Sequence, residues 1–363
     1  MKIGIDISQI AFKGSGIERF TSGLIKTILT YDKNNEWIFF FSSLRNQLDY
    51  DIKIQIQNKG FQIKDYPFPP TLLSLMWNKL HLFKIDNLIK SLDWLITSDW
   101  TEPPSSFKKA TIVHDLVYKR FPETLSSIIS RNQNLKLNHV RKESKVIFAD
   151  SLSTKNDLIS LLEIPENKII VNYPGVHIIE TDGDFDLNIL KKNNINNRFI
   201  LSVGKIEPRK NIQMLIDAYI ELDLSSIDLV IVGDYGWGPH IKKYDNIKYL
   251  GYLDDKELFS LYKKSLCFIY PSIWEGFGYP IIEAMASKTP VATSNTSSMK
   301  EISNNAALLF NPYKKIEIKN SINKLINHPD LRKDLIRKGI INAQKFTWKN
   351  YYINLISTLE SII

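Results

Sequence analysis

RFILSVGKIEPRKNIQMLIDAY, residues 198–219, reads as a strand, a loop and a helix in immediate succession. An apolar run ends at Gly204, where the chain turns, and Arg209, Lys210 and Asn211 open a segment whose apolar residues recur at helical spacing. Working outward, short apolar runs alternate with helical-period segments along the whole chain. Strands are expected near 2–7, 37–42, 60–65, 93–97, 110–114, 145–149 and 168–171, then at 199–204, 228–233, 247–250, 266–270, 290–293 and 307–310. Helices fit 17–30, 71–91, 124–142 and 151–162, and two or three long amphipathic helices fill 316–363. Such alternation is the signature of parallel sheets with crossover helices, so the class is α/β, doubly wound.

The 363 residues exceed the roughly 250 to 300 at which one core stops growing, which calls for two domains. Residues 174–197 open with Pro-Gly, mix charges with Asn and sustain no period, as a linker does. The division expected is a first domain over 1–175, a linker over 176–197, a second domain over 198–345 and a final helix over 346–363.

With 44% apolar and 24% charged residues the chain is neither disordered nor fibrous. Its single cysteine, Cys267, lies in the apolar run SLCFIY, excludes a disulfide scaffold and points to a reducing compartment. A net charge of +8 and a pI near 9.1 suit an anionic partner. The basic residues are not interleaved with aromatic stacking positions of an RNA or DNA module, so no nucleic acid is expected. No apolar run approaches the ~18 residues of a membrane span. MKIGIDIS alternates like a strand rather than a secretory leader, and a cytoplasmic protein, peripheral to a membrane, is expected.

Ligands of open α/β sheets bind beyond the carboxyl ends of strands, so the loops after strands are where chemistry is expected. Gly14 and Gly16 in AFKGSGIERF feed a helix, either as a tight turn or as a loop able to approach an anion. ATIVHDLVY puts His114 and Asp115 at a strand's end, where a histidine can meet a sugar hydroxyl or move a proton, or simply form a structural pair with Asp115. None of the six histidines stands at zinc-ligand spacing to a second ligand, and no metal or cofactor is expected. Arg209 and Lys210 at a helix start oppose its macrodipole by roughly 0.3 to 1 kcal/mol each, which a bound phosphate explains.

The most specific segment is YPSIWEGFGYPIIEAMASKTPVA, 270–292. Glu275 falls in a loop and Glu283 in the following helix, eight residues on, so the two should reach different parts of one extended ligand. Glu283, flanked by Ile281, Ile282, Ala284 and Met285, is costly to bury alone, and a ribose diol is a suitable donor to it. The amides near Phe277 and Gly278 can hold a sugar.

These motifs, in order GSGIERF, VHDL at 113–116, GKIEPRKN at 204–211, YLGYLDDKEL at 249–258 and EGFGYPIIE at 275–283, resemble retaining glycosyltransferases of family 4, the group 1 enzymes of GT-B fold. The resemblance implies two Rossmann-like domains facing across a cleft, with the C-terminal helix crossing back to the N-terminal domain. It implies a nucleotide-sugar donor, retention of anomeric configuration and no metal ion. Arg209 and Lys210 would bind the diphosphate, with Gly204 at the turn before them; Glu283 would bind the ribose, and Glu275 with the Phe277–Gly278 amides the donor sugar. His114 would stand beside the sugar's C6 hydroxyl, the Gly14 and Gly16 loop would cover the phosphates, and Tyr252 would lie near the base. Lys288 and Asn304 depart from the pattern, standing where the family has glycine, which makes a local difference in the turn at 288 an expectation. Glu18 departs too, at a place for a small residue.

VHDL with EPRKN is similar to bacterial mannosyltransferases that build O-antigen, lipopolysaccharide or capsule from GDP-mannose. Rhamnosyl, glucosyl or N-acetylhexosaminyl transfer and a nucleotide-sugar epimerase stay open as alternatives. A lipid-linked saccharide is the expected acceptor. Seven basic residues against two acidic ones over 118–145, and Trp77, Leu80 and Phe83 with Lys79, Lys84 and Lys90 over 71–91, suit an anionic bilayer or a solvated basic face.

Overall fold

The computed structural model describes residues 1–176, 188–236, 242 and 244–362. The chain forms two compact units, Met1–Gly175 with the C-terminal helix Trp348–Ser361, and Val176–Thr347.

The first unit holds β1 (Lys2–Asp6), β2 (Glu36–Ser42), β3 (Gln62–Tyr66), β4 (Trp94–Thr97), β5 (Lys108–Val113), β6 (Ser144–Ala149) and β7 (Ile169–Val171). They pair in the order β3-β2-β1-β4-β5-β6-β7, every pair parallel. The second holds β8 (Arg198–Val203), β9 (Ile227–Val232), β10 (Ile247–Tyr249), β11 (Cys267–Tyr270), β12 (Val291–Ser294) and β13 (Ala307–Phe310), in the parallel order β10-β9-β8-β11-β12-β13. Each expected strand is found. Both sheets are doubly wound, and each reverses its winding once, between β1 and β4 and between β8 and β11. Loops leaving those strands splay apart at the reversal and leave room for a ligand.

Helix ends follow local chemistry. Ser15 accepts the Glu18 amide at 3.1 Å and starts the helix Gly16–Tyr31, so Glu18 sits in the first turn, where a carboxylate suits the helix dipole. Phe20 of this helix packs edge-on against Trp348 and Tyr351 of the C-terminal helix. Gly23 is required there by space, because a Cβ on it would lie 2.2 Å from the Trp348 ring.

The structure corrects the readings of 71–91, of Trp77 and of the linker, and adds one helix. The single helix over 71–91 is instead a short helix, Pro70–Leu73, a wider π-helical turn over Ser74–Lys79 and a tight turn over Ile85–Asn87. His81, Phe83 and Ser91 take left-handed backbone angles, which a right-handed helix cannot accommodate. Trp77 is buried rather than on a membrane-facing surface, its indole N–H donating to the Phe83 carbonyl. Tyr50–Asn58 is a helix that Ile52, Ile54 and Ile56, spaced by two, conceal. Of the stretch read as a linker, 177–187 lies outside the described residues, while Asn188–Lys192 is helical and Ile189 and Ile195 are buried.

Gly23→Ala is expected to lower stability by about 1–3 kcal/mol, because the rigid indole must move. Chemical denaturation should show it as an earlier unfolding midpoint; an unchanged midpoint would mean that the helix pair is not closely packed.

Candidate functional site

The loops after β8 and β11 flank the reversal of the second sheet, and they are tied together. The Ile273 amide donates to the Arg209 carbonyl at 2.8 Å. Asn211, held at a φ of 57°, donates its side-chain amide to the carbonyls of Pro271 and Pro312 at 3.2 and 2.8 Å. This fixes the tight turn Pro208–Lys210 ahead of the helix Ile212–Ile220.

Four charges meet there. Lys210 Nζ lies 2.7 Å from Glu275 Oε1, and Arg209 Nη1 lies 3.0 Å from Glu275 Oε2. Arg209 also pairs with Glu207 at 2.5 Å and donates to the Trp274 carbonyl at 2.8 Å. The hydroxyls of Tyr270 and Ser272 donate to Glu275 Oε1 at 3.0 and 2.5 Å. Burial would raise the Glu275 pKa, but Arg209 and Lys210, with hydrogen bonds from Lys210 and Ser272, outweigh it and hold it at about 2. Burial, with the Glu275 charge beside it, pushes the Tyr270 phenol well up, so it stays a donor. A bound phosphate is therefore not needed to explain Arg209 and Lys210 in the free protein: Glu207 in the same loop and Glu275, brought near because β8 and β11 are sheet neighbours, balance them. Glu207 stands within GKIEPRKN itself and was legible as a partner; Tyr270 and Ser272 carried no sequence signal beyond lying next to the loop.

Gly204, at a φ of 152°, ends β8 beside the Lys210 side chain. Gly278, at 107°, precedes the helix Tyr279–Ala286, and the Ser298 hydroxyl donates to the carbonyls of Glu275 and Phe277 at 2.9 and 2.7 Å. The Phe277 ring is buried against Tyr279 and Phe346, so only its backbone can serve a ligand. Glu283 is buried and accepts from the Tyr262 hydroxyl at 3.1 Å. Tyr252 is exposed after β10, its amide donating to Asp234, and does not join the charged group.

In the first unit His114 ends β5. Its Nδ1 lies 2.7 Å from Asp150 Oδ2 and its Nε2 3.0 Å from the Ser98 hydroxyl. Phe20, from the helix that follows Gly14 and Gly16, meets the ring edge-on at 4.5 Å. Burial alone would lower the His114 pKa, yet the Asp150 carboxylate, its hydrogen bond and Asp99 raise it. Asp115 instead accepts the Val117 amide at 3.0 Å and starts a turn, so the structural pair of His114 is Asp150, not Asp115. Gly14 needs its glycine, with a φ of 76°, whereas nothing lies within 4 Å of a Cβ on Gly16.

His81, His139 and Glu143 form a group that could offer ligands to a metal ion, which corrects the expectation that no histidine stands at ligand spacing: His139 and Glu143 are four residues apart on one helix, and only His81 is distant in sequence. The two rings stack at 3.6 Å and within 3° of parallel. In-plane lone pairs of parallel rings cannot converge on one ion, so binding there would require a ring to tilt. Both His81 nitrogens face acceptors, the Trp77 carbonyl at 2.8 Å and Glu143 at 2.6 Å.

Residues 186–341 match the family described as glycosyl transferases group 1. This stretch is a group 1 glycosyltransferase domain. The chain is 28% identical to the O-antigen chain mannosyltransferase B of Escherichia coli over 67% of its own length and 68% of the relative's. It is 31% identical to the O-antigen chain mannosyltransferase RfbU of Salmonella typhimurium over 60% and 61%. It spans only 28% of a serotype-specific mannosyltransferase WbdA of Escherichia coli, at 26% identity. Among solved structures it superposes on HepE of Anabaena with a TM-score of 0.71 over 99% of this chain and 100% of that one, at 17% identity. A sucrose-phosphate synthase of Thermosynechococcus elongatus gives 0.74 over 100% and 99%, at 16% identity. The fold is thus GT-B, two Rossmann-like domains. Within the glycosyltransferase domain, Lys288 and Asn304 take left-handed angles of 61° and 44°, so the backbone that glycine favours is kept without glycine.

The depressed Glu275 pKa carries a sign. The carboxylate adds stability above its ordinary pKa of 4.5, and that contribution is lost as pH falls from there towards about 2. Glu275→Gln should therefore be less stable at pH 7, by roughly 3 kcal/mol or less. Urea unfolding should show the difference from the native chain shrinking across that acid window; a pH-independent difference would mean that the carboxylate's charge is not what matters.

Proposed function

We propose that this protein is a retaining hexosyltransferase that moves mannose from GDP-mannose to a lipid-linked glycan of the O-antigen, lipopolysaccharide or capsule type. The observation that carries this is the Arg209–Lys210–Glu275 group at the reversal of the second sheet. Its cations already hold carboxylate oxygens in the geometry that phosphate oxygens use, and a diphosphate brings more negative charge than Glu275 supplies. On binding, the donor diphosphate takes over Arg209 and Lys210, and Glu275, released from them, accepts from hydroxyls of the sugar. Glu283 takes the ribose, as the neutral donor that a buried carboxylate favours.

Cleaving the bond from the anomeric carbon to phosphate places charge on the leaving diphosphate. Fixed cations stabilise that charge most where it grows, so they lower the barrier. They also do what a divalent ion does elsewhere, and the reaction runs without metal. His114, oriented by Asp150, presents Nε2 to a sugar hydroxyl, the Ser98 hydroxyl keeping that place in the free protein. The relatives named as O-antigen mannosyltransferases support mannose, and HepE, solved with UDP and glucose, supports a nucleoside diphosphate donor.

The acceptor side is read from the first unit. Leu72, Leu75, Leu80, Leu82 and Phe83 are exposed beside exposed Lys79, Lys84 and Lys90. This apolar and basic surface suits an anionic bilayer carrying the acceptor at the inner face of the cytoplasmic membrane. Lys136, counted in the basic excess on sequence grounds, is buried and does not contribute to it. No described helix is long and apolar enough to cross a membrane.

Purified protein incubated with a panel of nucleotide sugars and lipid-linked acceptor should transfer only from GDP-mannose, undiminished by a chelator. Lys210→Ala should lower kcat/KM by about a hundredfold or more, the scale of losing one fixed charge on the leaving group. Turnover from another donor would correct the sugar, sugar conversion without acceptor would favour an epimerase, and loss of turnover with chelator would contradict the cation role. Leu80→Ser with Phe83→Ser should abolish co-sedimentation with phosphatidylglycerol vesicles; retained co-sedimentation would reject this surface.

A further inference from the structure

At the amino ends of β8, β11 and β12, on the opposite edge of the second sheet from Gly204 and Glu275, lies a cavity of about 270 Å³. Four cations line it: Arg198, Lys264, Lys288 and Arg332. No described lining residue is acidic, and Leu266, Pro290 and Ile336 give it an apolar wall.

Helix dipoles account for part of this charge. The helices Asp255–Lys264 and Tyr279–Ala286 end at or just before Lys264 and Lys288, and Arg332 donates to Leu325 and Ile326 carbonyls at 2.6 and 2.8 Å, in the last turn of the helix Lys315–Asn327. A helix C-terminus carries about half a negative charge, so the ends of the helices Tyr279–Ala286 and Lys315–Asn327 balance about one of the three positive charges of Arg198, Lys288 and Arg332; Lys264 has an interaction of its own and is not counted. About two remain, with no acidic residue among the described residues that line the cavity. Arg332 is moreover held in place by those carbonyls, so its guanidinium is oriented before any ligand arrives.

Lys288 stands at a helix-closing turn. It keeps a left-handed φ of 61°, strained for a lysine, at a turn that glycine would make without strain. The angle closes the helix Tyr279–Ala286, the Thr289 amide donating to the Ala284 carbonyl at 2.9 Å, and the residue that closes it here brings a positive charge where glycine would bring none.

We propose that this cavity binds a phosphate-bearing anion, apart from the donor position and independent of how that position is used. Arg332 and Arg198 hold phosphate oxygens, and Lys288 supplies a point charge beside them. The class includes soluble pyrophosphates and the head group of a phospholipid.

Titration calorimetry of the full chain with inorganic pyrophosphate, in parallel with dihexanoyl phosphatidic acid below its micelle concentration, tests this. Arg198→Gln with Lys288→Gly should weaken binding of the better of these probes by about tenfold or more, the loss expected for one charge-assisted hydrogen bond. Both residues are exposed, and Lys288→Gly relieves strain, so a higher Tm for that single variant together with weaker binding separates ligand loss from unfolding. Whichever probe binds more tightly identifies the source. Pyrophosphate can also occupy the donor position, so Lys210→Ala is run alongside: a binding event lost in the cavity variant but kept in Lys210→Ala supports the cavity, even if the donor reading fails. Isotherms of the cavity variant that overlay those of the native chain for both probes would overturn the proposal.

Discussion

A neutral group of two cations and two carboxylates, held at the reversal of a parallel sheet, is the constraint on which the second unit's chemistry rests. Arg209 and Lys210 stay ordered because Glu207, Glu275, Tyr270, Ser272 and the Trp274 carbonyl surround them. Without Glu275, two partly buried cations would face each other with too little counter-charge. With it, the loops after β8 and β11 are stitched together before a ligand comes. In the function proposed here, such preorganisation would let a diphosphate replace a carboxylate instead of ordering flexible side chains, which reduces the entropy lost on binding.

The first unit applies the same logic to a histidine. Asp150 fixes the His114 ring through Nδ1 and leaves Nε2 directed at Ser98, so the tautomer and orientation are set by residues distant in sequence. Phe20, Trp348 and Tyr351 pack behind, which makes the C-terminal helix part of the support of this ring. Gly23, with no room for a Cβ, is what lets that helix approach.

Strands such as β2, β8, β9 and β11 were legible because they are short apolar runs buried almost throughout, a pattern that survives without any tertiary information, whereas β3, with Gln62, Lys64 and Asp65, carries a weaker one. The segment 71–91 was not, since its apolar residues keep helical spacing while His81, Phe83 and Ser91 turn the backbone left-handed for reasons that lie in the surroundings. At the site, Arg209, Lys210, Glu275 and Glu283 stood out by residue type and position after strands. Their pairing did not, because it depends on β8 and β11 being neighbours across more than sixty residues of chain. Asp150 follows β6 as plainly as Asp115 follows β5, and only the fold decides which of the two meets His114. The basic cavity was hidden for the same reason: Arg198, Lys264, Lys288 and Arg332 come from four separate segments.

The central claim is that Arg209 and Lys210 exchange Glu275 for a donor diphosphate. A crystal structure of the chain with GDP and no divalent ion addresses it most directly. The account predicts phosphate oxygens within hydrogen-bonding distance of both cations and the 2.7 Å pair of Lys210 with Glu275 opened. Nucleotide bound elsewhere, with that pair intact, would contradict it.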